Sequence, residues 1–262
     1  MDKTSLGDRM KGYEAVPKIH LIRRTPVIIR LDGKAFHTFT REFDKPFDED
    51  FMSAMQQTMK FLCENVQGCV LGYTQSDEIT LVLCDYQKLD TDCWFGYSVQ
   101  KMASVAASMA TFAFSKALDC LAAKIFENSN NEFTLKSKLL FSKSEQGAFF
   151  DARCFNVPLA EVNNCLLWRQ QDATRNSIQA LAQSLYSQKE LHGISTKQLQ
   201  DKMFTEKGVN WNDLPVYKKR GSCCIKKEEG WELDLNIPIF QWSPDGFYLC
   251  LDGAFNIGKN RP

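Results

Sequence analysis

Thr25-Pro26-Val27-Ile28-Ile29-Arg30-Leu31-Asp32-Gly33-Lys34-Ala35-Phe36-His37 is the stretch on which the reading of this chain turns. A β-rich apolar run opens at Pro26 and stops abruptly at a carboxylate, a glycine and a polar loop that lasts to Phe47. Further on, Gly72-Tyr73-Thr74-Gln75-Ser76-Asp77-Glu78-Ile79 sets two more acids between two apolar runs, Cys69 to Tyr73 and Ile79 to Cys84. That second pattern predicts a β-hairpin.

Working outward, Asp48 is placed to cap a helix, with Glu49 and Asp50 in its first turn. Met52, Met55, Met59, Leu62 and Cys63 then recur at helical spacing. After the hairpin, Trp94 to about Lys124 reads as a long helix, and Ala148 to Val157 as a fourth strand stopped by Pro158. The order β-α-β-β-α-β is the split βαβ, ferredoxin-like pattern, an α+β fold with helices on one face. Its first and third strands lie adjacent in the middle, which brings Asp32 towards Asp77 and Glu78. The rest differs: helices over Val162 to Gln188, a helix start at Ser195, and hairpin strands at Val216 to Lys226 and Trp231 to Pro238. The expected division is a core over 1–158 and a helical and β-hairpin elaboration over 159–262, packed on the core.

The formal net charge is zero, so a grip on nucleic acid through bulk positive charge is excluded. Basic residues would have to be gathered locally, at Arg23-Arg24, Lys136/Lys138/Lys143, Lys218-Lys219-Arg220 or Lys226-Lys227. None of the ten cysteines forms a C-x-x-C pair, which argues against a zinc ribbon or a thioredoxin motif. With no secretory signal at the start, the thiols are expected to be reduced and the protein cytoplasmic. No apolar run reads as long enough to cross a bilayer, so no membrane partner is expected.

Acids at the ends of adjacent buried strands suit divalent cations and the phosphates they carry. Magnesium asks for few carboxylates, plus water and phosphate oxygens. Asp32 and Asp77 meet that need, while strand alternation turns Glu78 away from Asp77 into a supporting role. Gly33 allows close backbone approach, Lys34, Ala35, Phe36 and His37 can present amide N–H groups, and Ser76 a hydroxyl. Lys45 and Lys101 are candidate triphosphate clamps. Arg169 and Asp172 stand one helical turn apart, with Arg169 either on an RNA phosphate or ordering the second part against the first.

R-L-D-G-K-A-F-H-T-F-T from Arg30, K-P-F-D from Lys45 and G-Y-T-Q-S-D-E-I-T from Gly72 closely resemble the tRNA-histidine guanylyltransferase superfamily. The likeness continues through Trp94-Phe95 to Lys101, Trp168-Arg169-Gln170-Gln171-Asp172, and Leu214 to Gly221. It implies a polymerase-like palm that adds nucleotides in the 3′-to-5′ direction to the 5′ end of tRNA. It also implies two Mg2+ at Asp32, the Gly33 carbonyl and Asp77, with Glu78 adjoining. Nucleotide contacts are implied at Gly33 to His37, Ser76, Lys45 and Lys101, for ATP and GTP as substrates. RNA contacts are implied at Lys218, Lys219 and Arg220, and the assembly implied is a homotetramer. Where eukaryotic members read H-I-N-N-L-Y-N, this chain reads Thr174-Arg175-Asn176-Ser177-Ile178-Gln179-Ala180. It is therefore more similar to the Thg1-like branch, whose members repair 5′-truncated tRNA. Two other readings share parts of the pattern: a palm-type nucleotidyl cyclase, and a non-catalytic tRNA-binding protein.

Overall fold

The computed structural model describes residues 4–87 and 90–240. In chain order the described elements are α1 (Leu6–Ala15), β1 (Val27–Gly33), the single turn α2 (Phe36–Phe39), α3 (Glu49–Asn65), β2 (Cys69–Gln75) and β3 (Glu78–Leu83). Then follow α4 (Val99–Asn128), α5 (Leu135–Gln146), β4 (Phe150–Asn156), α6 (Val162–Leu185), α7 (Gln188–Leu191) and α8 (Thr196–Lys207). The described chain closes with α9 (Val216–Arg220), β5 (Ser222–Lys227) and β6 (Gly230–Asp234).

The strands form one antiparallel sheet in the order β4-β1-β3-β2-β5-β6. β1 lies between β3 and β4, as the split pattern requires, with Asp32 opposite Glu78 on one side and Asp151 on the other. Alternation along β1 assigns its faces. Val27, Ile29 and Leu31 enter the main core with α3 and α4, and Ile28 enters a second core with α6. Asp32 shares the α6 face. α3 and α4 thus lie on one face, as expected, while α6 of the elaboration covers part of the other.

Several expectations shift. α5 was not foreseen: its residues alternate lysine and serine with few apolar positions, and only Ser137, Leu140 and Lys143 are buried. Val216 to Arg220 is a short helix and not a strand, so β5 starts at Ser222. The β5–β6 hairpin then extends the same sheet through β2. The loop from Gly33 to Phe47 is less polar than its composition suggests, because Phe36, Phe39 and Phe43 are buried against Phe51 and Phe114. α4 is by length and composition apolar enough to cross a bilayer, against expectation. Its Met102, Ala106, Ala110, Phe114 and Leu118 are instead packed in the main core.

Candidate active site

The turn between β2 and β3 is two residues long. β2 ends at Gln75, β3 begins at Glu78, and Ser76 takes a left-handed φ of 50°. Asp77 therefore leaves the strand, and Glu78 is the residue directly opposite Asp32. The Gly33 N–H donates to the Asp77 carbonyl at 3.1 Å, which ties the turn to the end of β1.

Gly33 has a different reason from the one its sequence context suggested. A Cβ there would meet the Phe36 ring at 2.3 Å, so the space is taken by the core and not by an approaching ligand. Ala35, with φ 56°, turns the chain so that Phe36 can fold back under the strand end. The Lys34 N–H is spent on the Phe149 carbonyl at 2.8 Å and is not free for a phosphate. Phe36 and His37 open α2, whose first turn leaves N–H groups without intrahelical acceptors.

Beside this junction lies a cavity of about 300 Å³. His37, Lys45, Ser76, Asp77, Lys218 and Lys219 line it, with Phe36, Phe43, Phe47, Phe51, Met52 and Met55 as its apolar wall. An apolar pocket with a few convergent polar groups is the usual form of a small-molecule site. α9 closes it from the far side. The Lys218 carbonyl accepts from Ser177 at 2.7 Å, and the Arg220 carbonyl accepts from Tyr73 at 2.6 Å. Gly221 has φ 83°, and a Cβ there would meet the Thr74 carbonyl at 2.4 Å, so only glycine lets α9 run into β5 this close to β2. The lysines are held as well: Lys218 pairs with Glu49, and Lys219 donates to the Asn212 carbonyl at 2.5 Å. Burial first, and then Arg220, depress the Lys219 ammonium below its ordinary range.

Burial raises the Asp77 carboxyl, and the charge of Asp32 raises it further. Hard oxygen donors of this kind fit Mg2+. Among the described residues no three His, Cys, Asp or Glu side chains converge as a ready-made cage. Asp32 and Asp77, with the Gly33 carbonyl, are the residues that would hold magnesium if phosphate oxygens completed its shell.

Glu78 belongs to another network. Its Oε1 faces Arg169 Nε at 3.2 Å, but both atoms are buried and neither forms an aligned hydrogen bond. Burial pushes the Glu78 carboxyl up to about 7 against the pull of Arg169 and Arg30. Arg169 Nη2 reaches Asp172 at 2.5 Å, and Arg175 reaches the same carboxylate at 2.6 Å. Arg169 is thus an internal tie between α6 and β3, corrected from a contact for RNA phosphate, because its guanidinium is buried and ion-paired. Of its two sequence readings, the ordering one matches this geometry.

Lys101 is a second correction. It sits in the first turn of α4, where Val99 N–H bonds to the Ile19 carbonyl. Phe114, which touches Phe36 at 5.5 Å, lies thirteen residues further along, about 20 Å of helix. Within one chain Lys101 cannot clamp a triphosphate in this cavity. Arg23, Lys136 and Lys143 are likewise taken up in ion pairs with Asp85, Asp48 and Glu42.

Sequence reasoning missed Gln56, Asn176, Ser177 and Tyr217, which also line the cavity. One signal pointed to two of them: Asn176 and Ser177 fall in the segment that departs from H-I-N-N-L-Y-N.

Comparison with known proteins gives a consistent picture. A family model described as tRNAHis guanylyltransferase matches residues 7–158. A bacterial tRNA(His) guanylyltransferase (Thg1)-like protein in complex with ATP is 45% identical, with a TM-score of 0.77 over 90% of this chain and 94% of that one. A bacterial Thg1-like protein in complex with GTP is 40% identical, with a TM-score of 0.73 over the same shares. An uncharacterized protein of Acanthamoeba polyphaga mimivirus is 30% identical over 233 residues, 85% of this chain and 77% of that protein.

Proposed function

This chain belongs to the tRNA(His) guanylyltransferase family of nucleotidyltransferases, and from that membership we propose that it adds nucleotides to the 5′ end of tRNA in the 3′-to-5′ direction. The observation that carries the reading is the cavity where Ser76 and Asp77 meet His37, Lys45, Lys218 and Lys219, at the end of the strand bearing Asp32. Cationic and hydroxyl groups together with aromatic rings in one lining suit a nucleoside triphosphate. Relatives that carry bound ATP and GTP support the same occupants here.

Two balanced displacements make up the reaction. An oxygen of the RNA 5′-monophosphate attacks the α-phosphorus of ATP, and pyrophosphate leaves. The 3′-hydroxyl of an incoming NTP then attacks the activated 5′ phosphorus, and AMP leaves. Asp32, Asp77 and the Gly33 carbonyl would hold Mg2+, which when bound neutralises phosphate charge and lowers the pKa of the attacking hydroxyl. Lys45 and Lys219 would offset the triphosphate charge, with Lys218 paired to Glu49, and Ser76 would donate to a phosphate oxygen. Glu78 does not line the cavity. It holds β3 to α6 through Arg169.

With the H-I-N-N-L-Y-N segment altered at the cavity wall, repair of 5′-truncated tRNA is the favoured role over addition of one guanosine to histidine tRNA. A homotetramer in the cytoplasm is the proposed setting. α1, whose Leu6, Met10 and Tyr13 are exposed along one side, offers a surface for assembly. The deciding assay supplies one tRNA full-length and lacking its first nucleotide, with each NTP separately, on a denaturing gel. Longer RNA that requires magnesium and ATP is the expected product. A cyclic nucleotide with RNA unchanged would replace this reading with a cyclase.

A further inference from the structure

The segment from Thr40 to Asp48 forms one wall of the cavity and carries Lys45 at its tip. A single carboxylate ties this segment to the start of α3. Asp48 Oδ2 accepts from Asp44 N–H at 2.9 Å, and Asp48 Oδ1 accepts from Phe51 N–H at 2.9 Å, capping α3. Lys45 Nζ folds back on the Thr40 carbonyl at 3.0 Å. Along the sequence, Glu42, Asp44, Asp48, Glu49 and Asp50 fall in a stretch that holds one lysine, Lys45.

The missing cations come from α5, the helix the sequence reading overlooked. Lys136 Nζ lies 3.1 Å from Asp44 and 3.4 Å from Asp50, and forms an ion pair with Asp48. Lys143, buried beside Phe39, holds Glu42 at 2.8 Å. Lys136 does not itself line the cavity, whereas Asp44 and Asp48 do. A triphosphate entering here meets a wall whose negative charge is offset from behind.

We propose that Lys136 is a positioning residue for the nucleotide site: it gathers Asp44, Asp48 and Asp50 so that Lys45, and not the acids, faces the phosphates. The proposal rests on the nucleotide reading of the cavity. Removing the ammonium releases like charges towards the ligand and loosens the segment that carries Lys45.

The test is equilibrium binding of magnesium-GTP, with kcat and KM for GTP in the RNA-extension assay, on Lys136→Ala, Lys136→Arg, Asp44→Asn and the pair Lys136→Ala with Asp44→Asn. Lys136→Ala should weaken GTP about tenfold, seen in KM with kcat nearly kept. Lys136→Arg should bind as the parent does. Asp44→Asn in the Lys136→Ala background should recover most of the loss, which a purely structural role would not allow. Asp44 is exposed, so Asp44→Asn alone folds and should tighten GTP even if Lys136→Ala does not fold. Unchanged KM in Lys136→Ala, no recovery in the double variant, or no tightening in Asp44→Asn each overturn the proposal. A parent chain that takes up no magnesium-GTP overturns the nucleotide reading itself.

Discussion

Two ion clusters flank the strand ends, one on each face of the sheet, and they treat buried carboxylates in opposite ways. On the α5 side, burial would raise Asp48, but the Lys136 ammonium and the amides of Phe51 and Asp44 outweigh it and hold Asp48 below its ordinary range. On the α6 side, burial raises Glu78 to about 7, although Arg169 lies 3.2 Å away. Geometry makes the difference. Asp48 is a helix N-cap, so both of its oxygens accept aligned amide hydrogens. Glu78 projects from a strand, and its Oε1 and the facing Arg169 Nε form no aligned hydrogen bond. A nearby opposite charge is therefore not enough to keep a buried acid ionised; directed hydrogen bonds are.

The sharpest test of where chemistry lies, as against these supports, is Asp32→Ala and Asp77→Ala. Nucleotide addition should fall about a thousandfold or more, with the thermal midpoint nearly unchanged. Retained turnover in either folded variant would move the reacting centre elsewhere. Next is Arg169→Ala, which strands Glu78 while Asp172 keeps Arg175, and should cost about 3 kcal/mol in denaturant unfolding. A variant that keeps its stability but loses RNA affinity would restore the RNA-contact reading.

The two clusters also predict opposite pH responses. Glu78 has a folded pKa raised from 4.5 to about 7, so the native state holds a proton that the unfolded chain has lost. Its contribution to stability therefore falls as pH rises from about 4.5 through 7. Glu78→Gln should flatten that slope and leave the protein more stable than the parent at pH 8, by melting midpoint across pH. Asp48, depressed below 3.8, contributes stability that is lost only as pH falls through its folded value. Asp48→Ala removes the cap, at about 1 kcal/mol or more, and should erase that acid limb. The smallest effect belongs to Lys101→Ala: KM for GTP should stay within about twofold. A tenfold rise would show that Lys101 serves the cavity of a neighbouring copy.

The core of the fold was legible because it is written in short-range periodicity. The run Val27 to Leu31, the Asp48 cap and the spacing from Met52 to Cys63 each predict an element whose neighbours lie close in sequence. The pairing of β1 with β3 followed from the element order. α5 was not legible, since its lysines look like a solvated face until Asp48 and Glu42 are seen against them. Val216 to Arg220 read as strand from its neighbours, but Gly221 and the close approach to Thr74 turn it into a helical corner. Of the residues that pattern marked, His37, Lys45, Ser76 and Asp77 line the cavity, and Asp32 stands near the end of β1, opposite Glu78. Gln56 and Tyr217 were not marked, because they enter the cavity from elements whose packing no local spacing reveals.

By itself the sequence determined which strands exist, where their acids stand, and, through the ordered motifs from Arg30 to Gly221, which family they resemble. Tertiary structure decided which charges are spent. Arg169, Lys136 and Lys143 look in sequence like cations ready for RNA, but each is consumed by a carboxylate brought from far along the chain. Lys101 shares a motif order with the site yet stands about 20 Å of helix away from it. The physical reason is that a charge acts over a few ångströms of space, and sequence specifies neighbours in space only after the chain has packed.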